Sequence, residues 1–306
     1  MELISLSNWD SSVADDVSYD VFVTNQSIDD RARFFASSFE GRFIQKIIIK
    51  NKISGSSFSK QLEDLGFVDV ELSAFEQVLR CVDLDGKCVN VLLDISCMPR
   101  DVMSHLLSSI LSFFSGCIVK IRIKYTIASY SLPPNDIGAN AGIEAVHSDF
   151  SGWSHADSKP TSLVLGLGYE PFKAEGASEF FEPYDQWVFV PESPVTDYLP
   201  KVIENNQQLI NRSEAENRTI YYKVDDPEMT FGQLEQVVSL LSKTTNPVLM
   251  PFGPKILFFL CLIQSLCHPE VGVWYVTGNH PEEIVNNFAS EHSCGFECVF
   301  AVGKVD

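Results

Sequence analysis

The sequence predicts an α/β protein made of two tandem halves, each with a mainly parallel sheet. Three observations carry that prediction. Short apolar runs alternate with helical patterns along both halves, the mark of parallel strands joined by crossover helices. A stretch rich in Gly, Ala, Ser, Asp and Asn, from 135 to 160, breaks the alternation once. The units on either side of that break echo each other in order and residue type.

Tyr19 to Thr24, YDVFVT, reads as the first strand. Asp29 and Asp30 then precede RARFFASSF, with acidic residues where a helix start favours them. Lys46 to Lys50, KIIIK, is a β-branched strand. Phe58 to Gly66 reads as a helix closed by glycine, Val68 to Leu72 as a strand, and Ala74 to Val82 as a helix. Cys88 to Ile95, CVNVLLDI, is apolar almost throughout, as a strand buried on both faces requires. Arg100 to Phe114 has apolar residues at helical spacing, and Cys117 to Thr126 returns as a strand.

The second half restarts the alternation. Strands are predicted at Ser162 to Leu167, Gln186 to Val190, Thr219 to Val224, Pro247 to Met250, Val271 to Thr277 and Glu297 to Val302. Helices are predicted at Val195 to Ile210, Thr230 to Ser242, Lys255 to Leu266 and Pro281 to Ser290. The division expected is a first Rossmann-like half over 1–134, a linker or site-covering loop over 135–160, and a second Rossmann-like half over 161–306.

The echo between halves is most visible in two places. After the first strand of each half, a cation followed by alanine arrives six or seven residues on. These are Arg31-Ala32 and Lys173-Ala174. Later, VLLDISCMPR (Val91 to Arg100) aligns with PVLMPFGPK (Pro247 to Lys255). Both are an apolar strand, a turn, a proline and a cation opening an apolar helix. The halves read as an internal duplication.

Composition narrows the class. The chain has 306 residues, with 22 basic against 41 acidic, a net charge of −19. That balance disfavours sequence-independent binding to duplex nucleic acid, which needs a positive footprint. The N-terminus lacks a basic start and an apolar core, so no secretory signal is expected. The most apolar stretch, Ile256 to Leu266, is too short to span a bilayer. No CxxC occurs among the eight cysteines, and several sit in apolar runs. Together these predict a cytoplasmic protein with reduced thiols and no membrane partner. His292, Cys294 and Cys298 form no standard zinc pattern, and no metal or cofactor is expected.

In open parallel sheets, ligands bind beyond the carboxyl ends of the strands. Two loops there combine small residues with a cation. In Asp94-Ile95-Ser96-Cys97-Met98-Pro99-Arg100, the Ser96 amide suits an anion and Arg100 offers a charged fork. Asp94 would hold a ribose hydroxyl or order the turn. In Pro251-Phe252-Gly253-Pro254-Lys255, Gly253 allows close backbone approach, its amide would hydrogen-bond a ligand, and Lys255 adds a point charge. The loops after the first strands supply Thr24, Asn25 and Ser27 in one half, and Gly168 and Glu170 in the other. Each also reads as ordinary capping or turn chemistry. No GxGxxG, GxxxxGK[ST] or GxSxG is present, which argues against a dinucleotide fingerprint, a P-loop or a serine hydrolase. His147 and His155, beside Asp149 and Asp157, are weaker candidates to touch a ligand.

The strand, Gly-Pro-Lys turn, apolar helix and Tyr-bearing strand of the second half resemble the Gly-Gly-Thr-Lys region of CARF-type domains. Those are Rossmann-like sensors of cyclic oligoadenylates in prokaryotic antiviral defence. Gly253 and Lys255 match that motif, with Ser96 and Arg100 as counterparts in the first half. Pro254 stands where the family has threonine, and Phe252 where it has the first glycine. The resemblance implies that Thr24 to Ser27 and Gly166 to Glu170 line a ligand pocket. Such domains pair as homodimers, so it further implies that a chain with two halves builds its pocket within itself, without a separate effector domain.

The function expected is binding of a small nucleotide-like or phosphorylated ligand by a soluble sensor. The alternatives are a ligand-cleaving phosphodiesterase of ring-nuclease type, and an acidic partner-binding protein with no small-molecule ligand. Whether the chain forms a homodimer or meets a protein partner stays open at this point.

Overall fold

The computed structural model describes residues 1–10, 17–39, 41–50, 59–82, 88–132, 140–152, 158–278 and 287–303. In chain order the first elements are β1 (Glu2–Asn8), β2 (Ser18–Asn25), α1 (Arg31–Ser38), β3 (Arg42–Ile49), α2 (Ser59–Asp64) and β4 (Val68–Val70). They are followed by α3 (Phe75–Leu79), β5 (Cys88–Asp94), α4 (Arg100–Phe113) and β6 (Ile118–Ala128). Then come β7 (Asn140–Ala145), β8 (Thr161–Gly166), α5 (Lys173–Phe181), β9 (Asp185–Glu192), α6 (Tyr198–Ala215) and β10 (Thr219–Lys223). The last are α7 (Pro227–Leu241), β11 (Asn246–Pro251), α8 (Lys255–Cys267), β12 (Gly272–Gly278) and β13 (Ala289–Ala301).

The chain divides into two compact units, each an α/β unit around a mixed, mainly parallel sheet. The first comprises Met1–Ser129 with Ile284–Asp306 and holds a seven-stranded sheet ordered β1-β13-β6-β5-β2-β3-β4. Its strands β2 to β6 are parallel and take the order third-second-first-fourth-fifth, while β13 and β1 are antiparallel additions. The second comprises Tyr130–Glu283, with a six-stranded sheet ordered β10-β9-β8-β11-β12-β7. Strands β8 to β12 repeat the same parallel order, and β7 is antiparallel to β12. Both are Rossmann-like, and their shared order is the structural counterpart of the sequence echo.

The central strands form where both sheet faces are covered. From Val21 to Asn25 every residue of β2 is buried, as is Val91 to Asp94 of β5. Helix α4 buries Val102, Met103, Leu106, Leu107, Ile110 and Leu111, a stripe at helical spacing. Helix α8 is buried from Ile256 to Ser265 and has no polar face, so it reads as a core helix. Its Gln264 is accommodated by a hydrogen bond from Nε2 to the Phe231 carbonyl at 3.2 Å. Among the described residues, no helix is long and apolar enough to cross a membrane.

The first unit is not contiguous in sequence, unlike the half at 1–134, whereas the second runs without a break from Tyr130 to Glu283. Strand β7 follows β6 along the chain yet pairs with β12 in the second sheet, Trp274 opposite Ala145. Strand β13 follows β12 yet pairs with β6 in the first sheet, Phe296 opposite Ile123. Each sheet is therefore extended by an antiparallel strand, the second by β7 from the 135–160 stretch and the first by β13 from the second half of the sequence. Alternation patterns reveal strands but not their partners, so these pairings are invisible in them. The 135–160 stretch, read as linker or loop, contains β7 and a 3₁₀ turn at Ser148–Phe150. Of the helix predicted over Pro281 to Ser290, 281–286 lie outside the described residues, and Ala289 and Ser290 open β13. Strand β1 and helix α5 were absent from the prediction.

Candidate functional site

Strand order reverses between β2 and β5 in the first unit, and between β8 and β11 in the second. Those switch points are where helices leave to opposite faces and open a crevice at the strand carboxyl ends. Thr24, Asn25, Ser27, Asp94, Ser96 and Arg100 all lie on the two segments bordering the first unit's switch point. Gly168, Glu170, Gly253 and Lys255 lie on the corresponding segments of the second.

In the first unit the strand ends at the switch point carry buried polar residues. Thr24, Asn25, Asp94, Ser96, Lys124 and Thr126 are all buried. Asp94 and Lys124 are cross-strand partners in the β5–β6 register. Asp94 Oδ1 accepts from the Ser96 amide at 3.0 Å and from its hydroxyl at 2.5 Å. Ser96 Oγ in turn accepts from the Thr126 amide at 2.8 Å. Burial pushes the Asp94 carboxyl up to about 6, against the Ser96 hydrogen bonds and the nearby charges of Lys124 and Arg31. Burial also lowers the Lys124 ammonium, opposed by Asp94, Cys294 and Asp10. Lys124 Nζ donates to Ser293 Oγ at 2.5 Å.

A second buried ion pair sits beside it. Ser27 Oγ accepts from the Asp29 amide at 3.1 Å, setting the turn into α1. Asp29 accepts from the Arg31 amide at 3.0 Å and takes the guanidinium in a two-point grip, Nε to Oδ1 at 3.0 Å and Nη2 to Oδ2 at 2.7 Å. Arg31 Nη1 also donates to the Thr126 carbonyl at 3.2 Å. Burial disfavours the Arg31 charge, and the Asp29 hydrogen bonds outweigh it, so its pKa is raised.

Arg100 is half-buried and is the first residue of α4, after Pro99 in extended conformation as N-cap. Lys255 takes the same place on α8, behind Pro254, also extended. Arg31 and Lys173 open α1 and α5. Four cations thus stand at four equivalent helix starts, against the helix dipole. Asp29 answers Arg31, and Glu170 favours the Lys173 charge against burial, which lowers its pKa.

The second unit's loops are tied to each other by backbone. Gly166 O accepts from the Phe252 amide at 2.7 Å and from the Gly253 amide at 3.2 Å. A Cβ on Gly253 would stand 2.4 Å from Leu167 O, and one on Gly168 2.9 Å from Phe252 O. These glycines are required by loop-to-loop approach. Helix α6 leaves helical geometry at Asn206 (φ −123°, ψ 18°), whose Nδ2 donates to the carbonyls of Gly168 and Val202, both at 2.9 Å. Asn205 Nδ2 donates to Tyr169 O at 2.5 Å. The α6 kink therefore holds the loop that carries Glu170.

Two expectations change with this geometry. The Ser96 and Gly253 amides, read as ligand donors, are engaged within the protein, to Asp94 and to Gly166. The reason is that each loop must satisfy its own buried backbone where it turns under the crevice. Asp94 and Ser96 do not cap α4 either, since Pro99 holds the N-cap without a side-chain bond. Sequence reasoning passed over Asp29, Lys124, Thr126, Asn205 and Asn206. Only Arg31 left a signal, as half of the repeated cation-alanine pair.

Among the described residues, no group of three or more His, Cys, Asp and Glu is placed to hold a metal ion. Cys294 and Cys298 are buried while His292 is exposed. His147 Nδ1 accepts from the Asp149 amide at 3.2 Å. His155 and Asp157 lie outside the described residues. None of the eight cysteines is in a disulfide. No protein-family model, no curated protein and no solved structure matches this chain.

Proposed function

We propose that this chain is a binding protein for a small nucleotide-like or phosphorylated ligand, taken up at the switch-point crevices in the manner of CARF-type sensors. The observation that supports this reading most is the repeated proline-capped helix start, Pro99-Arg100 and Pro254-Lys255. It sets one cation at the carboxyl end of the fourth parallel strand in each unit. A cation stands against the dipole at a helix start, and each such start is a setting that suits an anion.

The test is thermal shift against mono-, di- and cyclic nucleotides, comparing the native chain with an Arg100→Ala, Lys255→Ala double variant. A ligand that binds only the folded state raises stability by about 2.7 kcal/mol at a hundredfold excess over Kd. The native chain is expected to shift and the double variant not to. Equal shifts in both would overturn the assignment. A second reading, cleavage of the ligand, is favoured by the Asp94 carboxyl, whose pKa near 6 lies in the range of acid–base groups. Chromatography of the recovered ligand separates the two: an intact ligand supports the sensor, a cleaved one the phosphodiesterase.

A further inference from the structure

At the first unit's switch point, buried side-chain oxygens are left without hydrogen-bond partners among the described residues. Asp94 Oδ2, Thr126 Oγ1 and Asn25 Oδ1 are buried and have no hydrogen-bond partner among the described residues. They belong to β5, β6 and β2, three neighbouring strands at the switch point. Their other bonds show why they are left over. Asp94 engages only Oδ1, through Ser96. The Thr126 amide and carbonyl are taken by Ser96 and Arg31, with the hydroxyl outside both bonds. Asn25 uses Nδ2 on the Gln26 carbonyl at 2.8 Å. A buried polar group left unsatisfied is destabilising, so the Asp94 and Thr126 oxygens, which the β5–β6 register puts on one face of the sheet, point to an occupant.

Chemistry narrows the occupant. A phosphate brings acceptors and cannot satisfy the Asp94 carboxylate, whereas the Thr126 hydroxyl both donates and accepts. A metal cation or protonated amine would meet Arg31 and Lys124, both close enough to favour the Asp94 charge. What remains is a neutral group that donates, and on a nucleotide-like ligand the compact paired donor is the ribose diol. We infer that the first unit's crevice reads the sugar hydroxyls of its ligand, with Asp94 and Thr126 as the acceptors. This rests on the nucleotide reading above and divides the labour within it. Arg100 takes the phosphate, and Asp94 and Thr126 take the hydroxyls.

The experiment is calorimetric titration of the full chain with AMP, 2′-deoxy-AMP, ribose 5-phosphate and 2-deoxyribose 5-phosphate. A site built to hydrogen-bond a hydroxyl rejects the analogue lacking it strongly, by up to about 10⁴-fold where the partners are left unpaired. The expected result is at least about a tenfold preference for each ribo compound. In Asp94→Asn, which turns the open oxygen into a donor, the preference is expected to fall to within about twofold. Thr126→Val removes the hydroxyl at constant shape and gives a second, independent loss. Binding with equal affinity for ribo and deoxy compounds overturns the hydroxyl assignment and leaves the nucleotide reading standing. So does a ribo preference that survives both variants. Failure of the native chain to bind any of the four overturns the nucleotide reading and this inference with it.

Discussion

Asp94 and Lys124 face each other across the parallel β5–β6 ladder, both buried, with burial pushing each ionisation toward its neutral form. Beside them Arg31 and Asp29 form a pair whose bonds keep the guanidinium charged. The first unit's crevice thus rests on two buried acid–base pairs of different character. One is locked by a two-point grip, and the other is poised to titrate.

That poise has a pH signature. Asp94 rises from an ordinary 3.8 to about 6 in the folded protein. Its folded pKa exceeds its unfolded one, so its contribution is fully present below about pH 4 and is lost as pH rises through about 6. Each pKa unit corresponds to about 1.4 kcal/mol, so the loss is about 3 kcal/mol at most. Urea unfolding of the native chain and Asp94→Asn from pH 4 to 7.5 checks this. The native chain should weaken relative to the variant as pH rises, and a constant difference would refute the shift.

Arg31→Met should destabilise the first unit by about 3–5 kcal/mol, because it strands the Asp29 carboxylate in the interior. The double variant Asp29→Ala, Arg31→Met should cost clearly less than the sum of the two singles. A double-mutant cycle in urea measures the coupling, and strict additivity would show that the pair is not interacting.

Two glycines should respond in opposite directions. Gly253→Ala drives a methyl to 2.4 Å from the Leu167 carbonyl, which neither loop can yield without breaking the Gly166 bonds. A loss of about 1–3 kcal/mol is expected. Gly232 lies inside α7, and an added Cβ there meets nothing within 4 Å. Gly232→Ala should therefore stabilise by about 0.5–1 kcal/mol. Melting temperatures of the two variants give the comparison directly.

Asn206→Ala removes the hydrogen bonds that hold Gly168 and the α6 kink, and should cost about 1–3 kcal/mol. Hydrogen exchange is expected to rise at the amides of 168–173 and of α6 around 202–210. Unchanged protection in the loop would show that the kink does not position it.

The legible part of this molecule is the part buried on both faces. CVNVLLDI and YDVFVT announce strands because most positions there are apolar, and the residues at their ends and in the turns after them border the first unit's switch point. Lys124 was hidden by its own pattern. In IVKIRIKYTIA the alternating Lys120, Arg122 and Lys124 look like a solvent face. Strand β13 pairs alongside it, so Arg122 meets Glu297 at 2.7 Å, and Lys124, with Phe35 over its ammonium, is 4% exposed. Strand β1, ELISLSN, is largely exposed and alternates weakly, so nothing in its composition marked it. The kink at Asn206 left no trace because asparagine is unremarkable in a polar helix.

The return of β13 to the first sheet also sets a schedule for synthesis. When β6 leaves the ribosome, the strand that covers its free edge, Ala289–Ala301, has not been translated. At about 5–20 residues per second, that edge waits on the order of 10–35 s with its backbone groups unpaired. Unpaired edges invite pairing with other chains. The nascent first unit therefore passes through a period of vulnerability to aggregation that ends only when Ala289–Ala301 has emerged.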